Sequence, residues 1–507
     1  MMVDNCRGVP RNIPTKVFVQ RSAFYISGSL HISSLIQIIN ILMITNTMKK
    51  FHNIPLTAGG KDPEYFDWQE VWYPVHYVED LEKTKPTAFT LLERDIVIWW
   101  EEKNHQWRVF EDQCPHRLAP LSQGRINEAG CLECPYHGWA FSGEGNCEIV
   151  PQQIIGGKAE KSSRAKVKSL PTKVCQGLLF VYAGKIENAT QTPIPKVDVL
   201  DENSNEWICL NTFRDLPYDG LTLMENVLDA SHIPYTHHRT VGNRANVAPV
   251  ELEILESGKW GFKGVWEEGP RKGTLGRQET TFIAPGMMWH DLTSKQFGRT
   301  LTVVYATPIR KGECRLFARF PFKFSSPLPK FLIQLTPRWY SHIGQNGVLE
   351  DDQIFLHYQE RYLEAKGGSA NFSKAFYLPT KADLFVFELR SWVNKYNAQL
   401  FPNTTLSSAL NSEILLDRYH SHTKKCSSCR TALRNLQRIK VGVILLTSFM
   451  WVIIFLLLLI LENFNITLMT FLILTLPIGV VSWLLLSKLE KQFYRGREIP
   501  PRNLPSN

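Results

Sequence analysis

Two short stretches hold residues whose types and spacing are those of a metal centre: Cys114-Pro115-His116 and, seventeen residues on, Cys134-Pro135-Tyr136-His137-Gly138-Trp139. Each offers one thiolate and one imidazole. Mixed pairs of this kind suit a [2Fe–2S] centre in which imidazoles replace thiolates on one iron. Zinc held by Cys2His2 is the competing reading, but in zinc modules of that composition the cysteines usually come together and the histidines together. Cys131 and Cys147 lie nearby without a histidine at matching spacing, and both read as structural thiols.

A second set begins about ninety residues later, in Glu225-Asn226-Val227-Leu228-Asp229-Ala230-Ser231-His232-Ile233-Pro234-Tyr235-Thr236-His237-His238. Asn226, Asp229 and His232 are spaced by three, which places them on one side of a helix. On a continuous helix His237 points about 140° away from His232. Pro234 is expected to break the ladder between them and let both imidazoles converge on one metal. Two imidazoles and one carboxylate form the facial triad of non-haem Fe(II) oxygenases. The best third ligand lies in Val348-Leu349-Glu350-Asp351-Asp352-Gln353-Ile354-Phe355-Leu356. At 100° per residue Asp352 sits at the centre of an apolar face formed by Val348, Leu349, Phe355 and Leu356, while Glu350 points opposite. Ordinary buried histidines and three solvated acids on a surface helix are the bland alternatives; a carboxylate facing a core needs a partner, and iron is one.

At these residues the chain resembles Rieske proteins. The resemblance assigns Cys114 and Cys134 to a buried iron, His116 and His137 to an outer iron. Respiratory Rieske subunits staple the two cluster loops with a disulfide; here those positions are Ala119 and Tyr136, which points to the oxygenase type. The cluster motif, the pattern Asn-x2-Asp-x2-His-x4-His and a distant aspartate together resemble Rieske non-haem iron oxygenases. The Pro234 context, the segment from Pro285 to Phe324 and the stretch from Arg418 to Cys429 resemble the branch of pheophorbide a oxygenase, chlorophyllide a oxygenase and a translocon Rieske subunit. That likeness implies mononuclear Fe(II) on His232, His237 and Asp352, and electrons from a ferredoxin or reductase system. It also implies dioxygen as oxidant and an apolar, ring-containing substrate, chlorophyll-derived in this branch. Asp229 is expected to bridge histidine ligands between neighbouring subunits of a head-to-tail homotrimer, meeting His137 of the next subunit; threefold heterologous contacts close a ring. Sterol oxidation and a non-catalytic redox-sensing or translocon component are the alternatives.

The elements that must position these groups are legible in outline. From Trp68 to about Ala183 the chain is β-rich, with strands expected at 88–92, 96–100, 106–110 and 178–182. Gly124, Gly130, Gly138, Gly143 and Gly145 let backbone amides approach cluster sulfurs. The expected fold is α+β: an all-β Rieske domain (66–190), a helix-grip catalytic domain with an antiparallel sheet and a long helix (191–400), and a C-terminal two-helix transmembrane hairpin (441–487). Thr192 to Glu206 reads as a linker. Residues 401–440 form a second one, whose Cys426 and Cys429, in a basic, polar stretch, are either a thioredoxin-addressed redox dithiol or unpaired surface thiols. No second such pair lies nearby to complete a zinc site.

Residues 441–461 and 466–487 are each uncharged and long enough to cross about 30 Å of hydrocarbon. Basic residues flank both ends (Arg434, Arg438 and Lys440; Lys488, Lys491, Arg495 and Arg497), whereas the loop Glu462-Asn463-Phe464-Asn465 has none, so the body is expected on the cytoplasmic or stromal side of a cyanobacterial or plastid membrane. Residues 1–60 read as a leader, a transit peptide or an upstream extension, and 488–507 as a basic tail. With 507 residues and 44% apolar content the chain can bury two domains. Its net charge of +9 lies largely beside the apolar segments, which argues against nucleic acid as a partner. Ten cysteines without an even framework fit a reducing compartment.

Overall fold

β-Branched and aromatic residues set between charged turns fold the N-terminal part into short strands. These are β1 (Trp72–Tyr77), β2 (Thr87–Leu91), β3 (Arg94–Glu101), β4 (Gln106–Glu111), β5 (Arg125–Ile126), β6 (Leu132–Glu133), β7 (Ala140–Phe141), β8 (Cys147–Ile149), β9 (Ser169–Leu170), β10 (Thr172–Cys175) and β11 (Leu178–Tyr182). They form three antiparallel sheets, ordered β1-β11-β10, β2-β3-β4-β9 and β5-β6-β7-β8. The four expected strands are β2, β3, β4 and β11. The computed structural model describes residues 65–202, 206–294, 298–460 and 466–505; the leader and the loop at 462–465 lie outside them.

A second, larger antiparallel sheet follows: β12 (Ile208–Leu216), β13 (Leu252–Gly258), β14 (Gly261–Trp266), β15 (Gln278–Ile283), β16 (Met287–Ser294), β17 (Gly298–Arg310) and β18 (Glu313–Phe324), ordered β12-β18-β17-β16-β15-β14-β13. Successive side chains of a strand point to opposite faces, and this sheet uses both. Val304, Ala306, Leu316 and Ala318 face a core with α1 (Gly220–Leu228) and α3 (Leu384–Lys395), which contribute Met224, Leu228, Leu389 and Trp392. Val303, Tyr305 and Phe317 point the other way, onto Trp72, Tyr77, Phe180 and Tyr182 of β1 and β11. The N-terminal domain is thus docked on the back of the catalytic sheet, with Thr307 Oγ1 donating to Pro74 O at 2.6 Å and Arg315 Nη1 to Val75 O at 3.0 Å. The segment between the domains is packed, with Val197 buried in the same core.

The 28-residue helix α2 (Arg338–Ala365) packs against β12, the edge strand of this sheet. Its burial departs from the helical-wheel expectation. Glu350, Asp351, Asp352 and Gln353 are all buried, whereas Phe355 is 38% exposed. The wheel assumed one covered face. Instead the segment around Arg418 and the C-terminal tail cover the side that was expected to meet solvent. Glu350 accepts from Arg214 Nη1 at 2.8 Å and from Arg418 Nε and Nη2, both at 2.6 Å. Burial pushes its carboxyl up, but Arg418 and then Arg214 more than offset this and hold it below its ordinary value.

α4 (Ser427–Ile460) and α5 (Ile466–Tyr494) each contain a stretch long and apolar enough to cross a membrane, almost none of it buried. After α5 the chain returns to the body. Gly496 passes so close to Glu350 that a Cβ there would meet its carboxyl atoms at 2.3–2.6 Å.

Candidate metal centres

The two cluster loops, between β4 and β5 and between β6 and β7, are built alike. In each the cysteine N–H donates to the carbonyl five residues on (Cys114 to Ala119, 2.9 Å; Cys134 to Trp139, 2.8 Å). The amide four residues on donates back to the cysteine carbonyl (Leu118 to Cys114, 2.8 Å; Gly138 to Cys134, 3.1 Å). Leu118 (φ 58°) and Gly138 (φ 72°) both take the left-handed conformation that closes such a turn. Cys114 and Cys134 are 1% and 2% exposed. His116 stacks on Trp139, ring centroids 4.6 Å apart and planes within 4°, and lies 4.6 Å from the His137 ring. Burial pushes the Cys114 thiol up to about 12. Desolvation, with His116 and Arg117 nearby, lowers His137, which favours the neutral imidazole that ligation requires. Two thiols in a dry interior and two imidazoles at the surface fit a two-iron Rieske cluster. Cys147 is buried, its thiol pushed up to about 11 by desolvation, with Sγ donating to Ile149 O at 3.5 Å; Cys131 is partly exposed.

His232, His237 and Asp352 also converge. His232 Nε2 and His237 Nε2 are 3.3 Å apart, and the Asp352 oxygens lie 3.9 Å from the first and 3.2 Å from the second. The backbone route differs from the one expected. α1 ends at Leu228 and the break is at Asp229 (ψ 102°), whose carboxylate accepts from Ser231 N at 2.7 Å and starts a new turn. Pro234 does not break a helix. It sits in the first turn of the short helix Ile233–Thr236, where a missing N–H costs nothing. His232 Nδ1 bonds to the Asp229 backbone carbonyl; the Asp229 carboxylate is engaged by Ser231 N and Oγ, with Oδ2 3.9 Å from His232 Nδ1.

The adjacent acids take different positions. Asp351 lies behind His237, its Oδ2 3.4 Å from Nδ1 and accepting from Thr240 Oγ1 at 2.7 Å, whereas Asp352 faces both Nε2 atoms and accepts from Asn226 Nδ2 at 3.4 Å. Burial raises the Asp352 carboxyl, against the pull of His237 and His232. A carboxylate so desolvated between two imidazoles fits a cation. The tail completes the surround: Arg502 Nη1 donates to Thr236 O at 3.1 Å and Asp351 O at 2.6 Å. The place of Asp351 behind His237 went unassigned in the sequence because α2 brings it there only on folding, and Thr240, three residues past His237, had no partner in the sequence until Asp351 arrived. Arg502 had only a charge to mark it.

Cys426 and Cys429 are not surface thiols. They are 0% and 1% exposed and meet His342 of α2 and His422, the four donor atoms lying within 4.8 Å of one another. Eighty or more residues separate His342 from the others, so no local spacing reveals the group.

A β-rich domain with two matched Cys/His loops, docked behind a sheet and long helix that gather two histidines and a carboxylate, defines a Rieske-type oxygenase. Residues 71–157 match the Rieske [2Fe-2S] domain and 282–370 the pheophorbide a oxygenase domain. Chloroplastic pheophorbide a oxygenase of Oryza sativa is 40% identical over 75% of this chain and 76% of its own; flavonoid 8-hydroxylase 2 of Ocimum basilicum is 34% identical over 79% and 80%. Dicamba monooxygenase bound to dicamba shares the fold, with a TM-score of 0.52 and 21% identity over 65% of this chain and 99% of that one. The chain belongs to the pheophorbide a oxygenase family of Rieske non-haem iron oxygenases, and its cofactors are a [2Fe–2S] cluster and mononuclear iron.

Proposed function

We propose that this chain is a membrane-anchored oxygenase of a chlorophyll-derived tetrapyrrole, in a plastid-type membrane, drawing electrons from a ferredoxin system. The carrying observation is the convergence of His232, His237 and Asp352 in the same chain as a complete Cys114/His116/Cys134/His137 set. An electron carrier or redox sensor has no use for that second site. Cys114, Cys134, His116 and His137 would hold the cluster; His232, His237 and Asp352 would hold the mononuclear iron. When bound, the two centres supply reductive activation of dioxygen. The protein's own part is to keep both imidazoles aimed: His232 through its bond to the Asp229 carbonyl, His237 through Asp351.

Support for the substrate class comes from the rice relative, and the α4–α5 hairpin suits a substrate that partitions into bilayers. The basil flavonoid hydroxylase favours a second reading, an aromatic substrate without a tetrapyrrole ring, because similarity to it extends over as much of the chain. The test is to supply detergent-solubilised protein with ferredoxin, reductase and dioxygen and offer a panel of tetrapyrroles and flavonoids, reading products by mass spectrometry. Oxygen gained by a tetrapyrrole supports the first reading and by a flavonoid alone the second. Two irons per chain in place of three, with no product, would overturn both.

A further inference from the structure

From the group around Cys426 we infer that this chain holds a structural zinc ion, bound by His342, His422, Cys426 and Cys429, at the root of its first apolar helix. The donor atoms are spaced for one ion. His342 Nδ1 and His422 Nε2 are 3.0 Å apart; Cys429 Sγ is 3.3 Å from His422 Nε2 and 3.4 Å from His342 Nδ1; Cys426 Sγ is 3.5 Å from His342 Nδ1. A tetrahedral ion with bonds of about 2.3 Å to sulfur and about 2.0 Å to nitrogen sets N···N edges at about 3.3 Å and N···S edges at about 3.5 Å. A two-iron cluster needs its thiolates and imidazoles on separate metals, farther apart than these.

The ring nitrogens that face away from the group fix the tautomers. His342 Nε2 donates to Asn211 O at 2.8 Å and His422 Nδ1 to Phe213 O at 2.6 Å, both carbonyls belonging to the edge strand β12. With those nitrogens carrying the protons, Nδ1 of His342 and Nε2 of His422 are left with lone pairs directed at the two sulfurs. Imidazole ligands oriented by a backbone carbonyl are the usual outer layer of a zinc site. Four protein ligands, each no more than 1% exposed, leave no open position, which marks the site as structural. The same burial withholds both sulfurs from a protein reductant. The ion would join α2, which ten residues on carries Asp352, to the segment Tyr419–Thr423 and to the first turn of α4.

The experiment measures metals in the full-length, detergent-solubilised chain produced with zinc and iron both available. One zinc per chain is expected, with zinc-edge X-ray absorption giving sulfur at about 2.3 Å and nitrogen at about 2.0 Å. Cys429→Ala should lose that zinc while keeping the visible absorption of the Rieske cluster, and Cys429→His, which keeps four donors, should retain both. Absent zinc in the unmodified chain, zinc with a shell of nitrogen and oxygen only, or a Cys426–Cys429 disulfide found by mass spectrometry each overturns the assignment. So does full zinc in Cys429→Ala. Iron at the oxygenase centres is counted separately, so this test and that of the oxygenase reading fail independently.

Discussion

At the scale of single residues, two neighbouring aspartates share a helix and differ in what they face. Asp352 opposes both imidazole Nε2 atoms, so Asp352→Ala should lower iron from three to two per chain and leave the cluster's absorption intact; unchanged iron content would refute its role. The Asp351 carboxylate lies on the far side of His237, beside Thr240 and 3.8 Å from Arg497 Nη2, and does not face the Nε2 atoms. Replacing it with Asn should therefore weaken iron affinity or activity by about 10–100-fold without abolishing either, the usual effect of disturbing a ligand's hydrogen-bond partner. A titration of the apo-chain with Fe(II) separates the two variants. Sequence spacing found His232 and His237, because both lie within one short segment. It placed Asp352 only through a wheel whose premise, one dry face, was wrong in detail.

At the scale of elements, α2 is a polar helix made tolerable by its partners. Arg214, 0% exposed, and Arg418 both rest on Glu350. Glu350→Gln leaves two buried guanidinium groups without a counter-charge, and a loss of about 3–5 kcal/mol is expected in chemical denaturation. Farther along α2, burial and then the neighbouring Asp219 raise Glu360 to about 8, from an ordinary 4.5. The folded chain therefore keeps a proton that the unfolded chain releases above 4.5. This contribution to stability is complete below that value and is lost as pH rises through about 8, with a slope of up to about 1.4 kcal/mol per pH unit. Thermal melts between pH 5 and 8 should show the fall, and Glu360→Gln, neutral throughout, should flatten it. The strands of the N-terminal domain were legible because alternation and turn residues specify them locally. The helix break at Asp229 was not, since a side-chain cap outweighed the more conspicuous proline.

At the scale of the whole molecule, the C-terminus is part of the catalytic body. The chain leaves through α4, returns through α5, and lays residues 496–505 over α2 and the segment of His237. Arg239 Nη1 donates to Leu504 O at 3.1 Å, Arg244 Nη2 to Arg502 O at 3.0 Å, and Arg502 itself holds Thr236 and Asp351. Arg502→Ala should lower turnover and speed iron loss to a chelator while leaving the cluster signal unchanged; equal chelation rates would show that the tail does not support the site. Sequence by itself determined the cluster type, the two histidines, the α+β class and the two apolar segments, because each rests on short-range spacing, periodicity or composition. Only the tertiary structure decided which carboxylate faces the histidines, that Glu350 is buried between arginines, that a basic tail returns to the segment of His237, and that His342 meets His422, Cys426 and Cys429. Those contacts join residues scores to hundreds of positions apart, and their energies come from burial and pairing that exist only once the helix, the edge strand and the tail have been brought together.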